Sequence, residues 1–456
     1  MFKNTLFMTI STFVRLLAGV VLFIFLARLL GPEGFGRLMY GFTVASIAVL
    51  VIEYGFSQQL LRDIGKTPEQ VCMIMGRVFL AKILLALAVV GCVLVWFAIS
   101  PKTIEDQQIF GFLFLSCILE SFAIFLNVAF RGIGRFHVET KIATVCSMFH
   151  FGVLMGLAFL GADLITLAQG FVVSRMLNLA LSWMAYRRII GGFEFGKQSW
   201  RTVIATLKSG FPYAADTGFT NFFSQVDILI VNHFLGAVGV GVYQAGMRFL
   251  QGANTFAPIL GNVYLPAIAG CSGKPAEIDR LSKKLNTQML WVGTAGWAFF
   301  SFGGEWITKL IYQEKYAGLT SLWPYIGLLL FLRYVAASQG VLLTANGSQS
   351  VRIWAQIIAL AVLLSTAPWL IKQYELRGML LSMQVTILTL SAIYFFSLTF
   401  KGLPSGFSTS GVMASAGVFS AAILLLEYPG IQIKVQDVFS AAAHFCLASL
   451  PMSTTP

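Results

Sequence analysis

Arg15, Arg248 and Arg333 stand deep inside long runs of apolar residues, and their placement limits what chemistry this chain can do. A charged side chain in the middle of an apolar helix costs roughly 2.5–3.5 kcal/mol on insertion scales, so it faces a cavity or a partner. Two readings stay open for these arginines: they line a substrate cavity, or they form structural ion pairs. Around Arg248, Gln244, Gln251, Thr255 and Asn262 recur at helical spacing, which predicts one water-lined face. Ser11, Arg15 and Gly19 line up likewise, as do Glu120, Asn127 and Arg131, and Arg175 joins the cavity candidates. Glu53, Asp216, Asp227 and Glu120 are carboxylates within apolar runs, suited to packing, to neutralising an arginine or to ion coupling. Asp216 and Asp227 are nearly three helical turns apart and are predicted to share a face of one helix. Arg28, Arg62, Asp63, Arg131 and Lys309, near run ends, are read as snorkelling or topological charges, and so is Lys82, four residues into its run.

Bond-making chemistry finds no residues here. The six cysteines are scattered without a C-x-x-C pair and are expected to be reduced, and the four histidines lack metal-ligand spacing. No phosphate-binding glycine loop occurs. The expectation is therefore no catalytic site, no metal, no cofactor and no enzyme.

The elements that position these charges follow from composition. With 57% hydrophobic and 11% charged residues and a mean hydropathy of +0.80, the chain reads as an all-α polytopic membrane protein. A span needs about 20 apolar residues. Such runs cover 6–30, 38–61, 78–99, 108–130, 142–160, 162–186, 204–235, 240–268, 286–311, 320–346, 352–371, 376–400, 408–427 and 433–450, about 14 transmembrane helices in all. Continuous runs of this length exclude a β-barrel. The first is too long for a cleaved signal and is read as a retained anchor. Lysine and arginine collect in alternate loops, including Arg62, Lys66 and Arg77, then Arg131, Arg135 and Lys141, then Arg187 and Arg188. This places those loops and both termini on the cytoplasmic side. The net charge of +12 thus reflects topology and attraction to anionic membrane lipids, not nucleic acid.

The chain also repeats itself. Leu30, Gly31, Gly34 and Gly36 recur 205 positions later as Leu235, Gly236, Gly239 and Gly241, and Gly134 recurs 213 positions later as Gly347. With the second offset, Glu120 falls on Arg333. The doubled pattern predicts a six-helix lobe at 1–186, a linker at 187–203, a second six-helix lobe at 204–400 and two additional helices at 401–456.

The stretch FLARLLGPEGFGRLMYGFTVASIAVLVIEYGFSQQLLRDIG at 25–65, with its L-G-P-x-x-F-G-x-x-x-Y pattern and following E-Y-G-F, resembles the opening of polysaccharide repeat-unit (O-antigen) flippases. These form the polysaccharide-transport branch of the MOP exporter superfamily. VDILIVNHFLGAVGVGVYQAGMRF at 226–249 and Pro266 are similar to that family's second-half opening. The resemblance implies a MATE-like fold of two six-helix lobes plus two helices, in a bacterial inner membrane. It implies a flippase that moves undecaprenyl-pyrophosphate-linked oligosaccharide by alternating access, alongside polysaccharide polymerase machinery. Arg15, Arg248 and Arg333 are then the candidates to receive pyrophosphate or acidic sugars, since arginine forks bind phosphate oxygens well. The carboxylates would couple transport to H+ or Na+. A lipid II flippase and a multidrug cation antiporter of the same superfamily are the alternatives. A membrane-embedded polymerase or ligase would need a long outward loop, which this chain lacks.

Overall fold

The computed structural model describes residues 2–99, 103–194, 200–271 and 274–403, without the side chains of 2–17 and 200–201. Twelve α-helices follow in order: α1 Phe2–Glu53, α2 Phe56–Lys66, α3 Val71–Ile99, α4 Ile104–Gly132, α5 Phe136–Phe159, α6 Leu164–Ile189, α7 Trp200–Phe223, α8 Val226–Asn254, α9 Phe256–Gly270, α10 Pro275–Ile307, α11 Trp323–Ala345 and α12 Gln349–Phe400. No strand occurs among the described residues. Eight stretches among them are long and apolar enough to cross a membrane, so this is a multi-pass membrane protein. That number is below the expected count because three stretches hold two predicted spans each, with breaks at Gly31 in α1, Gly236 in α8 and Glu375 in α12, and because α10, which carries the predicted span 286–311, is not among the eight. The predicted spans 408–427 and 433–450 lie outside the described residues.

The repeat is legible in backbone geometry. Gly31 has φ 68° and ψ 177°, and Gly236, 205 positions on, has φ 65° and ψ −166°. A positive φ is open to glycine at no steric cost. At the other register, Arg135 N donates to the Phe130 carbonyl at 2.8 Å and Ser348 N to the Leu343 carbonyl at 2.9 Å. Gly134 N and Gly347 N donate to the Arg131 and Thr344 carbonyls at 3.0 and 3.1 Å. Both turns close α4 and α11 with the same paired C-terminal cap, a left-handed glycine satisfying carbonyls the helix leaves open.

The chain divides into two compact units, Met1–Gly241 and Val242–Pro456. In unit 1, Phe56, Leu60 and Ile64 of α2 pack with Ile74, Met75 and Val78 of α3 and with Phe125 and Phe130 of α4. The start of α4 is capped by Thr103, whose hydroxyl accepts from Asp106 N at 3.2 Å. Arg37 binds Asp106 at 2.7 Å and Glu105 at 3.0 Å, holding α1 to that start, where acidic groups suit the helix dipole. In unit 2, Ser338 of α11 donates to Asn286 of α10 at 2.9 Å, and Gln384 of α12 donates to the Tyr325 carbonyl at 2.9 Å.

Candidate functional site

In unit 2 the second part of α8 carries Gln244, Arg248 and Gln251. Arg248 Nη1 donates to Gln251 Oε1 at 3.1 Å, and the Thr255 hydroxyl donates to the Gln251 carbonyl at 3.1 Å. The expected polar face therefore exists from 248 to 255, with Gln251 exposed. Gln244 is 2% exposed, and its Oε1 finds no hydrogen-bond partner among the described residues. Asn262 lies further on, in α9, which follows α8 after the single turn residue Thr255, and is exposed.

Aromatic residues fix this part of α8. Phe249 packs edge-on against Tyr312 and Trp323, with ring centroids 6.0 and 5.4 Å away. Tyr312 donates to the Ala245 carbonyl at 3.0 Å, and Trp323 Nε1 donates to the Thr308 hydroxyl at 2.8 Å. Arg333 is half-buried on α11 beside Tyr334, whose hydroxyl donates to the Ala253 carbonyl at 2.7 Å. A cation, two amides and aromatic rings thus share one region of unit 2.

Unit 1 holds a separate polar network. Arg175 binds Glu120 at 2.9 Å, and Asn178 Nδ2 donates to the same carboxylate oxygen at 2.8 Å. Two residues proposed for different roles, cavity cation and ion-coupling acid, are partners. Lys82 is 2% exposed; its ammonium donates to Ser121 at 2.7 Å and lies 5.2 and 5.9 Å from the rings of Phe122 and Phe125. The snorkelling expectation for Lys82 fails because α3 begins at Val71, seven residues before the apolar run. Lys82 is eleven residues into that helix, about 16 Å at 1.5 Å per residue, too deep to reach its end. Glu53 is half-buried at the end of α1. His150 Nδ1 lies 2.6 Å from the Ser174 hydroxyl, next to Arg175 in sequence.

Asp216 and Asp227 do not share a helix face. A turn at Ser224–Gln225 separates α7 from α8, leaving Asp216 exposed on α7 and Asp227 4% exposed at the start of α8. Asp227 Oδ1 accepts from Ile228 N at 2.9 Å. Arg15 lies on α1, with its side chain outside the described residues. Sequence reasoning passed over Asn178, Ser121 and Ser174, whose hydrogen bonds complete the network, because neutral polar residues on an apolar helix give no signal by type alone.

Solved structures share this fold. An inward closed form of the lipid II flippase MurJ matches with a TM-score of 0.71 and 14% identity over 97% of this chain and 100% of that one. An inward-facing multidrug resistance MATE family transporter of the MOP superfamily matches with a TM-score of 0.66 and 14% identity over 89% and 96%. A Vibrio cholerae MATE transporter, VcmN, in variant form, matches with a TM-score of 0.55 and 14% identity over 87% and 97%. At such identities the likeness is one of fold. No curated protein matches the chain. The family model described as polysaccharide biosynthesis protein matches residues 1–271, more than half of the 456. The chain belongs to the polysaccharide biosynthesis protein family.

Proposed function

We propose that this protein is a flippase that carries undecaprenyl-pyrophosphate-linked oligosaccharide repeat units, of O-antigen or exopolysaccharide, across a bacterial inner membrane by alternating access. The observation that carries the reading is the face formed by Arg248 and Gln251 at the end of α8 with Thr255 just beyond it. A guanidinium beside amide and hydroxyl groups suits a pyrophosphate, which offers oxyanions to fork-shaped donors. Arg333 and Arg15 are the further cargo-binding candidates; Arg175, bound to Glu120, is the weakest. Both termini are placed in the cytoplasm by the loop charges, and the doubled pattern supports two six-helix lobes joined at 187–203.

Ion coupling by H+ or Na+ belongs to the same proposal. Glu53 and Asp227 are its best carboxylates, since both are withdrawn from the surface; Glu120 is occupied by Arg175, and Asp216 is exposed. Unchanged flipping in vesicles without proton or sodium gradients would sink this part. The alternative cargo is a peptidoglycan lipid precursor, favoured by the fold likeness to MurJ.

The experiment measures the orientation of lipid-linked oligosaccharide in a strain lacking this chain, restored with either the intact chain or Arg248→Ala at equal membrane abundance. Cargo retained on the cytoplasmic face, and released only by the intact chain, supports the reading. Normal export in the deletion strain, with altered sensitivity to cationic drugs, points to an antiporter instead.

A further inference from the structure

A groove of about 450 Å³ runs between α5 and α6 in unit 1, with Lys141 and Arg188 among its lining residues. Its remaining wall is apolar, including Ile142, Val145, Leu181 and Met184. Val145 and Met184 are 54% and 46% exposed, so the groove opens on the outer surface of the unit. Lys141 lies in the second turn of α5 and Arg188 in the last turn of α6, so both cations sit at one end of the helix pair.

Arg131 is bound by Glu139 at 2.8 Å, and Arg187 lies over the ring of Trp183 at 5.7 Å. The side chains of Lys141 and Arg188 form neither an ion pair nor a hydrogen bond among the described residues. Two cations without a protein anion among the described residues, set above an apolar trough on a membrane helix pair, complement a molecule with a phosphate at one end and hydrocarbon at the other. Free phosphate would leave the trough unused, and a neutral lipid would leave the cations unmatched.

We propose that this groove is a binding site for an anionic phospholipid, whose phosphate sits between Lys141 and Arg188 and whose acyl chain lies along Val145, Leu181 and Met184. The proposal does not depend on what the polar face of α8 carries.

The test uses the full chain in bilayer nanodiscs of phosphatidylethanolamine with phosphatidylglycerol, followed by native mass spectrometry of the lipids it retains. The intact chain retains phosphatidylglycerol in preference to phosphatidylethanolamine. Lys141→Gln with Arg188→Gln weakens that retention about thirtyfold, the product of two basic contacts of about 1 kcal/mol each. Lys141→Arg with Arg188→Lys keeps it, while Val145→Trp, which fills the trough and leaves both charges, reduces it. Thermal unfolding of every variant in neutral detergent separates a lost site from a lost fold. Equal retention by the glutamine pair and the intact chain overturns the proposal. So does displacement of phosphatidylglycerol by equimolar undecaprenyl pyrophosphate, which would assign the groove to a lipid carrier.

Discussion

Gly36 and Gly241, 205 positions apart, make reciprocal backbone contacts: a Cβ on Gly36 would collide with the Ala237 carbonyl, and one on Gly241 with the Pro32 carbonyl. Ala237 is itself the repeat counterpart of Pro32 (32 + 205), so each copy offers its glycine to the other copy's carbonyl. That is the pattern of a two-fold interface, in which residue i meets j and j meets i, here inside one chain.

Gly36→Ala and Gly241→Ala are each expected to destabilise the protein by about 1–3 kcal/mol, the usual cost of overpacking a close contact. The double variant should lose less than the two losses added, because separating the copies at one contact relieves the other. Thermal unfolding of the detergent-solubilised chain checks both; strict additivity would dissolve the reciprocal account.

Glu120→Gln should strand the Arg175 guanidinium. Because that pair is about a third exposed, the loss belongs below the roughly 3–5 kcal/mol of a fully buried one, on the order of 2 kcal/mol. Combining it with Arg175→Gln should recover part of the stability. A double variant less stable than either single would show that other groups hold these two side chains.

Lys82 gives a topographical prediction. With the native cysteines replaced, a cysteine at 82 should resist charged, membrane-impermeant thiol reagents from either side, whereas one at Lys66 should react. Rapid labelling at 82 would restore the snorkelling picture.

Arg248→Lys keeps the charge and loses the fork. If one charge-assisted hydrogen bond to cargo goes with it, translocation should fall on the order of tenfold at unchanged abundance. Full activity of the lysine variant would reduce Arg248 to a point charge.

Asp163 caps α6: its Oδ1 accepts from Thr166 N at 3.2 Å, and bonds from the Thr166 side chain and backbone hold its carboxyl below the usual carboxylate range. A carboxyl depressed in the folded state contributes stability that is full above the unfolded value of about 3.9 and is lost as pH falls through the folded value. Amide protection at the start of α6, measured against the intrinsic exchange rate at each pH, should therefore be flat from pH 8 to 5 and weaken only in stronger acid. Asp163→Asn should remove that acid limb, and an unchanged limb would trace it to another group.

The fold was largely legible because apolar length and repeated glycines are local signals: Gly31, Gly134, Gly236 and Gly347 all have the positive φ that glycine admits. The breaks were less legible. Tyr54 takes a positive φ of 44°, ending α1 directly after Glu53, though its residue type announces no break. The site was legible as a face, Arg248 to Thr255, but not as partnerships. Glu120 and Arg175 lie on different helices, and only packing of α4 against α6 brings them together.

The matched caps of α4 and α11 bear on how the chain is made. Each is closed by bonds spanning six consecutive residues, Phe130–Arg135 and Leu343–Ser348. Such a turn needs no distant partner and can set as soon as its last residue emerges from the ribosome. The first half can thus acquire its helix-reversing geometry during vectorial synthesis, before its counterpart exists.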